Sequence, residues 1–164
     1  MTVVSNTTLL IGLSILNHVD LLRILFGEIH IPHAVFEELT IEGANRAGAQ
    51  EVAAGVSAGW VLVEEVPSSS MLTALKIDLD DGEAEVIALA LVCQADLLLM
   101  DERKGRAKAK ALGLKITGTI GVLLLARAKG VEIDLRSELE QLKSHGFRIS
   151  ENLLHRILEE NGTC

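Results

Sequence analysis

At 164 residues the chain suits one domain, long enough to bury roughly 68–70% of the surface its unfolded form exposes. A net charge of −8 excludes a general nucleic-acid coat, and an aromatic content of 2% excludes base-stacking platforms. Two cysteines, Cys93 in an apolar stretch and Cys164 at the end, give neither a disulfide framework nor zinc spacing. The opening MTVVSNTTLL has no basic n-region and does not read as a signal peptide. No apolar run approaches the ~18 residues of a membrane span, so the expected compartment is the cytoplasm.

Residues 2–5, TVVS, read as a short buried strand, and TTLLIGLSIL after them as a helix in which Leu9, Leu10, Leu13 and Leu16 fit the helical period. A second helix over about 19–26 stops at Gly27, a natural helix end. Residues 28–31 are strand-like, and Pro32 opens the helix HAVFEELT, where a proline removes no helical hydrogen bond. The small residues from 44 to 58 predict a helix weakened by glycines. WVLVEEV, 60–66, is a third strand ended by Pro67, and a helix over 70–76 follows.

The segment LDDGEAEVIALALVCQA is apolar on nearly all sides from Ala84 to Cys93 and predicts a buried helix. DLLLM, 96–100, is the continuous apolar run of a central parallel strand. A helix over 102–112, the strand LKITG and the helix TIGVLLLARAKG, stopped by Gly130, complete the alternation. Strands alternating with helices predict an α/β fold whose mostly parallel sheet is covered on both faces. Residues 134–145 and 150–160 are two amphipathic helices, with a seam at Leu153, Leu154, Ile157 and Leu158. No linker or repeat interrupts the chain, so residues 1–164 predict a single domain, with 134–164 packing on it or on a partner.

Four polar side chains stand where an apolar element meets a loop: Asn6, Glu38, Glu83 and Asp101. Each has a plain local role to fill. Asn6 is placed to cap the first helix, with Thr7 and Thr8 as cap-region hydroxyls. Glu38, with Glu37 as its alternative, suits a solvated helix surface. Asp80 and Glu83 fit a capping box, and Asp101 can cap helix 102–112. Taken jointly, carboxylates gathered at one sheet end repel and raise each other's pKa, and a bound cation relieves that. Just after Asp101, Arg103, Lys104, Arg106, Lys108 and Lys110 place five of the fifteen basic residues within eight positions, which suits phosphate-backbone substrates or a solvated helix face. With no GxGxxG after the first strand and no GK[ST] loop, a pyrophosphate cradle is missing.

In this order the motifs resemble a known family. VVSNTTLLIGL is similar to the VVxDTSxLI opening of PIN-domain proteins, IPHAVFEEL to IPxxVxxEL, GEAEVIALA to the segment carrying the third acid, and LLLMDER to the strand end carrying the fourth. The likeness covers most of residues 2–130 and extends to a prokaryotic branch that resembles VapC-type toxins, with SNTT, DERxxR-like and GTxGVL segments, here Asp101, Arg103, Arg106 and Gly118 to Leu123. The resemblance implies a three-layer α/β/α fold and a ribonuclease that uses Mg²⁺ or Mn²⁺. It places Glu83 and Asp101 as first ligands, Glu38 as a direct or water-mediated one, Asn6 at the first acidic position, Thr8 and Asp81 as secondary groups, and Arg103 or Arg106 on RNA phosphate. It also implies a homodimer and, for the toxins, a small antitoxin partner.

Asn6 departs from that pattern. An amide oxygen can ligate a metal but carries no charge, and one unit charge at ~4 Å in an effective dielectric of 20 is worth on the order of 4 kcal/mol before desolvation. Asp80 and Asp81 are the candidates for the missing charge. The amide also supports a rival reading, a PIN fold that binds RNA or a protein without cleaving.

Overall fold

The computed structural model describes residues 1–42 and 47–160, with the backbone alone at Glu42. The chain divides into two compact units, one from Met1 to Thr119 and one beginning at Ile120.

The first unit is built on five parallel strands: β1 (Val3–Ser5), β2 (Ile29–Pro32), β3 (Val61–Glu64), β4 (Leu97–Leu99) and β5 (Ile116–Thr117). Their order across the sheet is β3-β2-β1-β4-β5. In the central pairing Val3, Val4 and Ser5 oppose Leu97, Leu98 and Leu99. Val3, Val4, Ile29, Ile31, Leu98 and Leu99 have no solvent exposure, as continuous apolar runs in a parallel sheet require. Chain progress from β1 goes one way to β2 and β3, then returns to the other side of β1 for β4. The direction of travel therefore reverses between β1 and β4, and in open parallel sheets ligands bind beyond the carboxyl ends of the strands at such a point.

Helices join these strands as the sequence predicts, most with boundaries shifted by a few residues, although the helix expected over 44–58 begins only at Ala49, after a turn at residues 47 and 48. They are α1 (Thr7–Ile15), α2 (Asp20–Phe26), α3 (His33–Glu37), α4 (Ala49–Ala58), α5 (Ser70–Asp78), α6 (Asp81–Val92) and α7 (Arg103–Ala111). α2 stops at Gly27, whose φ of +79° suits a residue without Cβ. Helix α3 does not run on as HAVFEELT suggests: from Glu38 to Glu42 it widens into a π-helical turn, a feature that often marks functional sites. Of the helix predicted over 44–58, residues 44–46 lie outside the described residues, as does Cys164. α6 packs against β1 and β2, so Ala84, Val86 and Ile87 are fully buried. The buried stretch ends sooner than its composition implies, because Val92 is 61% exposed.

Helix α8 (Thr119–Ala128) begins at the last residue of the first unit and continues in the second, which also holds α9 (Leu135–Ser144) and α10 (Glu151–Glu160). Asp134 caps α9 by accepting from the Ser137 amide. Leu139 and Leu142 on α9, and Leu154, Ile157 and Leu158 on α10, are buried, while Leu153 is half-buried. Among the described residues no single helix is long and apolar enough to cross a membrane. Parallel strands with intervening helices make the three-layer α/β/α fold class.

Candidate functional site

The acidic side chains come from the π-helical turn after α3, the start of α6 and the loop after β4. Asn6 follows β1, and its backbone N–H extends the sheet by donating to Leu99 O at 3.0 Å. Its side chain is buried and caps α1, Oδ1 accepting from Leu9 N at 3.1 Å. The next two residues reach outward to acids. Thr7 Oγ1 donates to Glu38 Oε2 at 2.7 Å, and Thr8 Oγ1 donates to Glu102 Oε1 at 2.5 Å. The second bond links the first turn of α1 to the loop after β4, across the reversal in strand order. Glu37, the alternative to Glu38, turns instead to His33, 3.2 Å away.

Asp80 caps α6, its Oδ1 accepting from the Glu83 amide at 2.8 Å. Asp80, Glu83 and Glu102 each offer a carboxylate oxygen, and the three lie within 4.8 Å of one another. Two glycines make room for them. A Cβ at Gly82 would stand 3.2 Å from Glu38 Oε2 and 3.6 Å from Asp80 Oδ1, so Glu38 lies beside this group. A Cβ at Gly105 would stand 3.3 Å from Glu83 Oε2 and would overlap the buried Met100 sulfur.

Burial, a hydrogen bond with Asp80 and the charge of Glu102 push the Glu83 carboxyl up to about 8. Near neutral pH it therefore retains its proton. The cause is too much negative charge in too little water, and a divalent cation is the natural remedy. The donor set fits such an ion, since Mg²⁺ and Mn²⁺ favour hard carboxylate oxygens, and no soft ligand is present in the cluster.

Of the residues singled out from sequence, Glu83 and Glu38 thus come together beside Asp80. Asp101 does not join them and does not cap α7. Its Oδ1 accepts from Thr119 N at 2.7 Å, and its Oδ2 from Thr119 Oγ1 at 2.5 Å. Glu102 takes the N-cap position of α7, yet its side chain makes no capping bond. Asp81 lies outside the cluster, exposed and 3.9 Å from Lys76. Arg106 Nη1 donates to Met100 O at 2.9 Å, and Lys108 pairs with Asp78 at 2.9 Å. Arg103 and Lys104 are exposed at the start of α7, one and two residues after Glu102.

A family model described as a PIN domain matches residues 2–163. The chain belongs to the PIN-domain family. Comparison with curated proteins finds no match. PIN domains have a nuclease-type fold, and this one presents its acids at the reversal point of the sheet. Glu102 is the residue that sequence reasoning passed over. The available signal was a second acid directly after Asp101, at a βα junction where one cap suffices.

Proposed function

We propose that this PIN domain is a metal-dependent endoribonuclease of the VapC-like type that hydrolyses RNA phosphodiester bonds. The observation that carries the reading is the Asp80–Glu83–Glu102 cluster, in which Glu83 is held protonated to about pH 8 by its surroundings. Asp80, Glu83 and Glu102 would hold Mg²⁺ or Mn²⁺, with Glu38 close enough to contact through water. The chemistry such an ion supplies when bound is acidification of a water and neutralisation of charge on the phosphate.

The chain's own groups do the rest. Glu83 would have to be deprotonated to hold the ion. Thr7 and Thr8 hold the carboxylates of Glu38 and Glu102 in fixed orientations. Arg103, exposed and one residue after Glu102, is the guanidinium left to meet RNA phosphate, whereas Arg106 is engaged by a backbone carbonyl. The homodimer and small antitoxin of the VapC-like reading belong to this proposal and are tested by solution mass and co-purification.

Incubation with single-stranded and structured RNAs plus Mn²⁺ tests the enzyme. Cleavage that disappears with chelator and with Glu83→Gln supports it; no cleavage, together with no Mn²⁺ binding by calorimetry, removes it. One observation favours the rival binding module: Asn6 is uncharged and its oxygen already caps α1. If Asn6→Asp creates cleavage where the natural chain has none, the binding reading wins.

A further inference from the structure

Asp101 and Glu102 are neighbours in sequence, and the structure gives them opposite tasks. The backbone at Glu102 is extended, with φ −71° and ψ 131°, so successive side chains diverge. Both Asp101 oxygens accept from Thr119, one from its amide and one from its hydroxyl. The Gly118 backbone lies tightly against this pair, since a Cβ there would be 2.5 Å from Asp101 Oδ1. Arg106 Nη1 would be 3.1 Å from the same Cβ, so the Arg106 guanidinium also closes on Gly118. Asp101 therefore has little freedom to serve anything else.

Glu102 is in the reverse position. It occupies an N-cap site without capping, is half-buried, and has one oxygen held by Thr8 at 2.5 Å. Its carboxylate comes within 4.8 Å of those of Asp80 and Glu83. At the end of β1, where a charged ligand could stand, Asn6 offers only an amide whose oxygen is occupied.

We propose that Glu102, aimed by Thr8, is the metal ligand that supplies the charge Asn6 lacks, and that Asp101 is a clamp on Thr119 and not a ligand. This rests on the metal-dependent reading above. Thr8 is then a positioning residue: it fixes the Glu102 carboxylate without touching the ion.

The test is Mn²⁺ titration of the full chain by calorimetry, with metal-free melting of each variant. Glu102→Gln weakens Mn²⁺ about tenfold or more and leaves the metal-free melting temperature unchanged or raised, because a charge crowded against two other carboxyl groups is gone. Thr8→Val weakens Mn²⁺ with little change in melting, and Thr8→Ser restores it. Asp101→Asn lowers the melting temperature while Mn²⁺ affinity stays within about threefold, less than the loss usual for ligand-shell changes. The assignment is overturned if Glu102→Gln binds like the natural chain, or if Asp101→Asn loses Mn²⁺ at an unchanged melting temperature. A natural chain that binds no Mn²⁺ overturns the metal reading and this assignment with it, an outcome distinct from binding that ignores Glu102.

Discussion

Replacing Glu83 with glutamine tests the electrostatics of the site without RNA or metal. The unfolded chain releases this proton near 4.5, and the folded chain keeps it to about 8. Because the folded value is raised, the protonated group favours the fold fully below pH 4.5, and that contribution is lost as pH rises through 8. At full strength the difference is worth ~5 kcal/mol. The side chain is only half-buried, so solvent screening reduces it to about 1–2 kcal/mol. Glutamine keeps the shape and hydrogen bonding of the neutral acid and never ionises. Glu83→Gln should therefore melt within about 1 °C of the natural chain at pH 4 and about 2–8 °C higher at pH 9, both metal-free. Differential scanning calorimetry at several pH values, with chelator, reads this directly. A melting difference that is the same at pH 4 and pH 9 would refute the idea that neighbouring charge and burial hold the proton. With Mn²⁺ at pH 8 the order should invert, since only the natural chain gains stability from the ion.

Gly105→Ala gains up to about 1 kcal/mol of helix propensity but drives a methyl into the buried Met100 sulfur, so overpacking of about 1–3 kcal/mol should leave the variant less stable in urea melts. Arg103→Ala should weaken RNA binding and lower the slope of log affinity against log salt by about 0.7, the value for one single-strand phosphate contact, measured by fluorescence anisotropy at several salt concentrations. Arg127 in the second unit has a buried Nη1 without a hydrogen-bond partner, so Arg127→Met should raise stability by about 1 kcal/mol in chemical denaturation.

The sheet was legible because its strands are apolar runs bounded by turns: DLLLM became β4, and IHIP became β2. The Asn6 cap and the Asp80 cap were also legible, since each joins residues three apart. The division between Asp101 and Glu102 was not. It is decided by Thr8, 94 positions before Glu102, and by Thr119, 18 positions after Asp101, and local sequence gives no sign of which acid faces which hydroxyl. The π-helical turn at Glu38 was hidden for a similar reason. Its ELTIE sequence suits an ordinary helix, and only the structure shows the widening that begins at the residue bonded to Thr7.

The central pairing of β1 with β4 also has a consequence for timing. It joins Val3 to Leu97, so it cannot form until most of the first unit has been synthesised, whereas β1 can meet β2 after some 30 residues. Thr8 and Glu38 precede β3, Asp80 and Glu83 follow it, and Glu102 follows β4. A nascent or truncated chain that stops before β4 lacks the Thr8–Glu102 bond and one arm of the carboxylate cluster. The acidic centre is thus completed only with the least local contact in the sheet, since a chain that stops before β4 has no Glu102 to offer it.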